Sequence, residues 1–502
     1  MECHEVTAAR AGHPSGRTFR SLPEIYLAFS LLLTTLLCFL TPPFFAPDES
    51  HHAARAISIG HGAWLAHMGT DEAGAEIDSH ALKAMDGMDQ IRMEWEKHAG
   101  FFLDRSYGAV SPAQQREFAA IPWSRATTFA PFANTALYPP LLYLPAVAGW
   151  RLAEAADLTI FHSLQLARLF SAWTSVLIAW GALRLCSGSR WILLAYLLLP
   201  STLFLDASCS QDALLLSLAA LLVALLARVL AAGRGWSLAE LAGMTALLTL
   251  CATARPPYAA LALLLFLPNA EVRERCWRRW IAPAAGFAVV FASCAAWRWF
   301  VLPFGFDEAD QADPALQQAF LHAHPLAAAG SILRGTGEAA VDFVQRGLYV
   351  VGWNDLLPHH GAAAVLAVCL SAVVLCAPLP ASPVRTWLGR GLLLAAIAGP
   401  LLGISLAEYI IWTPPGGPTV FGIQPRYWLP VCPLAMLLLQ ACVRVPLRRR
   451  YPAFARGELP AQRGVGMTAL VVLVSVACTL PWMVSHAFYR EGVLQVLRLN
   501  LP

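Results

Sequence analysis

The chain has 502 residues, 57% of them hydrophobic and only 13% charged, with a formal net charge of +3. Soluble domains carry roughly 25% charged residues, so one large soluble core is excluded. A net charge this small also argues against a nucleic-acid partner.

In chain order, a basic segment with Arg10, Arg17 and Arg20 precedes the first apolar run, Ile25–Leu40. No small-x-small cleavage site follows it, so it reads as a retained membrane helix over about 22–43. A mixed-charge loop follows, 43–137, with helical pieces at 48–59 and 78–98. Residues 138–156 (YPPLLYLPAVAGWRLAEAA) are apolar but rich in proline. Further candidate spans lie near 162–185, 191–208, 213–231, 238–254, 256–268 and 280–302. A second loop, 303–358, precedes spans near 360–379, 390–411, 427–444 and 467–487, with a short loop at 412–425. Most of these runs are long enough to cross a hydrocarbon layer of roughly 30 Å.

Basic residues decide the sidedness. If 138–156 does not cross, Arg184, Arg190, Arg228, Arg234, Arg273, Arg275, Arg278, Arg279, Arg385, Arg390, Arg444 and Arg448–Arg450 all fall inside. If it crosses, they all fall outside. The expectation is therefore an interfacial helix at 138–156, which its prolines and Trp150 suit. About eleven transmembrane helices result, within a range of 10–13, with the N-terminus cytoplasmic and the C-terminus extracytoplasmic. Residues 1–502 form one all-α polytopic domain, and loops 43–137 and 303–358 lie outside. The twelve cysteines avoid those loops and show no metal-ligand spacing, so they read as buried thiols.

Three groups of residues are able to carry chemistry. PDESHHAAR, directly after the first span, places Asp48, His52 and Arg55 on one helical face, with His51 and Arg55 as a second pair. Asp48 and Glu49 could take an acceptor's proton, or they could simply cap the helix. At outer ends of spans stand Asp206, Gln211 and Asp212, then Arg255, Glu408, Gln424 and Arg426. Ionisable groups at such depth usually pair or line a wet cavity, although arginines also snorkel. Trp353 and Asp355 close the second loop in YVVGWNDLLP. Trp353 reads more as a belt residue than as a site residue. No Walker-A loop, GxGxxG or GxSxG is present, so nothing points to a nucleotide. A phosphosugar arriving on a membrane lipid would need none; arginines would bind its phosphate and a carboxylate would deprotonate the acceptor.

The order of PDESHHAARAISIGHG, YPPLLYLPA, SLQLARLFSAW, LPSTLFLDASCSQDALLLSLAAL, ARPPY, GWNDLLP and GIQPRYWLP resembles bacterial domain-of-unknown-function family 2142. That family in turn resembles the C-type (GT-C) polytopic glycosyltransferases. The resemblance implies a polyprenyl-phosphate sugar donor and inversion at the anomeric carbon. It aligns Asp48 and Glu49 with an acidic motif after the first span, Tyr138 with the entry to a membrane-parallel helix, and Asp212 with an outer acidic position. Pro425 departs from the family pattern, where glycine is frequent.

The expected function is transfer of a sugar from a polyprenyl-phosphate-linked donor to an envelope glycan or lipid, at the outer face of a bacterial cytoplasmic membrane. Asp48 and Glu49 are the catalytic candidates. His51, His52, Arg55, Tyr138, Asp212 and Asp355 are candidates for orienting the substrates, and Arg255, Gln424 and Arg426 for holding the lipid phosphate. The metal is unknown, and a divalent cation is the one cofactor left open. The rival expectations are a transporter or flippase of lipid-linked saccharide, and a non-catalytic partner in polysaccharide assembly or export.

Overall fold

The computed structural model describes residues 21–98, 109–186, 190–272, 277–305, 311–353, 360–377, 384–447, 450–456 and 459–501. Asp355 lies outside them, as do Arg10, Arg17, Arg20, Arg273, Arg275, Arg448 and Arg449. The described chain is mostly helical, with one small sheet. Seven helical stretches are long and apolar enough to cross a membrane: Leu22–Leu40, Ile160–Leu185, Gln211–Ala232, Trp277–Phe304, Trp387–Ile411, Pro425–Val443 and Pro460–Tyr489. Leu238–Ala254 and Gly361–Cys376 are shorter apolar helices.

The first of these, α1 (Leu22–Leu40), ends in a turn that leads into α2 (Glu49–Gly60). The turn needs two residues in the left-handed region, Phe44 at φ 61° and Asp48 at φ 54°. A non-glycine residue pays conformational energy there, so packing must hold the turn. Both expected helical pieces of the first loop form, as α2 and as α3 (Ser79–His98). The first loop also holds a feature the sequence reading lacks. A small antiparallel sheet runs β1 (His67–Met68), β2 (Ala73–Asp78), β3 (Thr127–Pro131). Asp78, at the end of β2, accepts backbone N–H bonds from His80 and Ala81 on one oxygen and from Ser124 and Arg125 on the other. It thereby joins the start of α3 to the β3 approach.

The stretch 138–156 splits into a short 3₁₀ turn, Pro140–Tyr143, and α4 (Leu144–Ala155). At about 1.5 Å per residue α4 by itself reaches about 18 Å, shorter than a hydrocarbon layer of roughly 30 Å. It lies against α2 and α5 (Ile160–Leu185). Close approach is possible because Gly149 meets the α5 backbone at Ala167.

After α5, α6 (Arg190–Leu197) and α7 (Pro200–Asp206) follow with two residues between them, and Pro200 sits at the first position of α7 where its missing N–H costs nothing. Then come α8 (Gln211–Ala232) and α9 (Leu238–Ala254). Residues Pro256–Phe266 form a 3₁₀ helix of eleven residues, far beyond the usual three or four. The tighter winding has a consequence for reach. At about 2.0 Å per residue it covers about 22 Å, and the α-turns of Leu267–Glu271 bring the total to about 30 Å, the thickness of the hydrocarbon layer. The remaining helices used below are α10 (Ile281–Val301), α11 (Trp387–Ile411), α12 (Cys432–Leu447) and α13 (Pro460–Cys478). The 3₁₀ helix packs between α9, α10 and α11.

Candidate functional site

Chain direction gathers the polar ends. The C-terminal end of α1, the N-terminus of α8, the C-terminal end of α9 and the residues leading into α12 all lie at one end of the bundle. There Asp48, Asp212, Arg255 and Arg426 meet. Arg255 donates from Nη2 to Asp212 Oδ1 at 2.6 Å. Arg426 donates from Nη1 to Asp212 Oδ2 at 3.3 Å and to the Pro47 carbonyl at 3.1 Å. Its Nη2 donates to Asp48 Oδ2. Two cations and two carboxylates thus close a neutral network. Asp212, Arg255 and Arg426 are each under a tenth exposed, while the Asp48 side chain keeps 19% of its surface open.

Tyr427 forms the floor. Its ring lies 4.2 Å from the Arg255 guanidinium carbon and 5.1 Å from that of Arg426. Its carbonyl accepts from the Tyr258 hydroxyl at 2.7 Å. Cations over an aromatic face gain attraction that water would otherwise supply. The Nε atoms of Arg255 and Arg426 have no hydrogen-bond partner, so neither fork is fully used.

Helix capping does not explain Asp48. Its side chain makes no cap bond to α2 and instead turns to Arg426. Burial opposes its charge, but the groups facing it, Arg426 first among them, together hold the carboxyl below the usual carboxylate range. His52, one turn on, is 1% exposed, and its Nδ1 shares a 2.6 Å bond with the Tyr143 hydroxyl. Tyr138 stacks on the same imidazole at 6.0 Å. Burial pushes His52 down to about 3, so it is neutral at ordinary pH.

Other expected site residues go elsewhere. Glu49 stands next to Asp48 in sequence and belongs to a different structure. It is fully buried and forms a two-bond pair with Arg168 on α5, whose Nε lies 2.8 Å from Glu49 Oε1. That oxygen also accepts from the Cys209 N–H at 2.8 Å. Arg168 donates further to the carbonyls of Cys38, Thr41 and Pro42. With its oxygens so occupied, Glu49 holds the turn that presents Asp48. His51 bonds Asn134 through Nδ1, at 2.8 Å. Arg55 is fully buried and donates to the carbonyls of Ala63 and Trp64, so the expected His51–Arg55 pair does not form. Gln424 Oε1 is buried without a partner, and Gln211 is buried with neither amide atom bonded. Glu408 lies beside Gly422, where a Cβ would stand 2.6 Å from its Oε2.

Sequence reasoning missed Arg168 and Tyr427. An arginine inside the apolar stretch SLQLARLFSAW was the available signal for the first, since such a charge needs a buried partner. Among the described residues no group of three or more His, Cys, Asp or Glu side chains is arranged to hold a metal ion.

A small cavity borders the network, lined among others by Pro47, Ser201, Phe204, Pro425, Arg426 and Leu429. Chemically, the arrangement offers two forked cations, one partly open carboxylate and a neutral histidine at one end of a helical bundle. Comparison with curated proteins and with solved structures returned no match. The profile described as "Predicted membrane protein (DUF2142)" matches residues 31–438, most of the chain, so this protein belongs to that family of membrane proteins.

Proposed function

We propose that the protein is a membrane glycosyltransferase that moves a sugar from a polyprenyl-phosphate-linked donor to an envelope glycan or lipid. The observation that supports this reading best is the meeting of Asp48, Asp212, Arg255 and Arg426 at one end of the bundle. Two planar, permanently charged forks suit a phosphate. On this reading the membrane is a bacterial cytoplasmic membrane. The chain crosses it about eleven times, N-terminus inside and C-terminus outside, and the network faces outward.

The pairing suggests how the base is controlled. With no donor present, Arg426 keeps Asp48 a weak base. A donor phosphate taking Arg426 removes that partner, and the Asp48 carboxyl rises toward the range useful for accepting a hydroxyl proton. The phosphate then leaves with the charge it needs already faced by Arg255 and Arg426. Attack by the acceptor from the opposite face of the sugar inverts the anomeric carbon. Glu49 acts here by holding the turn and does not touch substrate.

The test measures binding of a polyprenyl-phosphate sugar, and sugar transfer, in nanodiscs. Arg255→Gln should weaken donor binding about ten- to a hundred-fold, equivalent to about 1.5–3 kcal/mol, and Arg255→Lys should weaken it less. Asp48→Asn should keep donor binding and lose at least about 10²-fold in turnover. Unchanged donor binding in Arg255→Gln would remove the phosphate site and leave the network as a structural staple between loops.

A further inference from the structure

Asp206 stands at the end of α7, inside the bundle and 1% exposed. Its Oδ1 lies 2.8 Å from Ser175 Oγ on α5. The same Ser175 Oγ lies 2.7 Å from the carbonyl oxygen of Ala213 in α8. Both separations are those of O–H···O bonds. A serine hydroxyl has one proton and can donate once. The Ala213 carbonyl has none. If Asp206 were ionised, one of the two close oxygen pairs would have no proton between its atoms, and two sets of lone pairs would face each other in a dry interior.

The remaining surroundings agree. Asp206 Oδ2 has no hydrogen-bond partner. No arginine, lysine or histidine pairs with Asp206 among the described residues. From α1, α5, α6, α8 and α13, which pack around α7, the titratable groups whose fields reach it are Tyr26 and Tyr196. Tyr196 is committed to the Leu216 carbonyl at 3.1 Å. Tyr26 and the neighbouring Ser30 on α1 are buried, and neither donates to Asp206 among the described hydrogen bonds. A lone anion in such a place is costly unless it is paired, whereas a neutral acid is tolerable.

We propose that Asp206 is a proton-binding site within the bundle: the neutral acid donates from Oδ1 to Ser175, and Ser175 donates to the Ala213 carbonyl. Each oxygen pair then holds one proton. The ligand is a proton, and the site is separate from the arginine network. It is nevertheless mechanically connected to that network. Ala213 is the residue after Asp212, in the first turn of α8. Loss of the proton forces Ser175 to turn to the carboxylate, which releases the Ala213 carbonyl and loosens the turn carrying Asp212.

Infrared difference spectroscopy on the full-length protein in nanodiscs, wild type minus Asp206→Asn at neutral pH, tests this. Asn is a close mimic of the neutral acid, since its amide can donate to Ser175 as the acid does. The expected difference spectrum contains the carbonyl stretch of a protonated carboxylic acid, which moves to lower frequency in D2O. Loss of a carboxylate band instead, with no acid carbonyl band, would overturn the proposal. Ser175→Ala supplies a second reading that does not depend on the Asn variant folding. It should keep the acid band and raise its frequency, because the acid loses its acceptor. An acid band unmoved by Ser175→Ala would show that the proton is not held by this chain of hydroxyls.

Discussion

Glu49→Gln keeps the shape of a side chain and removes its charge, which makes it a sensitive probe of the buried pair. Arg168 would retain its bonds to three carbonyls and lose its counter-ion in a site closed to water. Breaking such a pair from one side costs about 3–5 kcal/mol. Thermal unfolding in detergent should show a loss near the lower end of that range, since those carbonyls still solvate the cation. Asp48→Asn, with its partly open side chain, should melt close to wild type. Equal losses in the two variants would mean that the neighbouring carboxylates share one role. His52 gives a pH signature. An unfolded histidine takes a proton near 6.5, whereas the folded one resists until about 3. Its contribution is therefore complete above pH 6.5 and falls as the pH drops through that window, by up to about 1.4 kcal/mol per unit. Stability measured from pH 7 to pH 4 should fall less steeply in His52→Gln than in wild type. Parallel slopes would show that His52 takes its proton while folded.

Among the elements, α4 depends on close contact. A Cβ on Gly149 would lie 2.5 Å from Ala167 Cα and 2.7 Å from Ala167 N, and backbone atoms cannot swing aside. Gly149→Val should cost about 1–3 kcal/mol or more by overpacking. It should also displace Tyr143 and so disturb His52. Gly181 on α5 has open space where its Cβ would go, so Gly181→Ala should be close to neutral and serves as the control. Thermal stability of the two variants checks this. How legible each element was follows from the same physics. Apolar length made the long helices readable, and Asp48 before ESHHAARAISIG marked α2 to within a residue. The segment near 256–268 is wound as a 3₁₀ helix, which carries it further than an α-helix of the same length, and nothing in its apolar run signals that winding. The sheet was hidden because AGAEID and TTFAP are short, and β1 has only two residues. The network was half legible: sidedness brought Asp212, Arg255 and Arg426 to one end, but nothing local shows that Glu49 turns to Arg168, 119 positions away.

For the whole molecule, the positive-inside argument makes a global prediction from one local choice, that 138–156 does not cross. In a cysteine-free variant of the full chain, His80→Cys, Gly330→Cys and Pro418→Cys should each react with an impermeant thiol reagent in intact cells. Ser187→Cys, Arg275→Cys and Pro446→Cys should react only after lysis. Labelling of position 187 from outside would invert the map from α5 onward. The same long-range pairing has a temporal side. Residue 49 is made well before residue 168, so its carboxylate waits without a partner while the intervening chain is synthesised. Asp212 is followed by its partner Arg255 after 43 positions, whereas Asp48 must wait 378 positions for Arg426. Domains usually settle from the N-terminus as the chain emerges. Here the partner that secures the turn presenting Asp48 comes 119 positions after Glu49, and the one that balances the Asp48 charge 378 positions after Asp48, so the turn can be fixed long before the network above it closes.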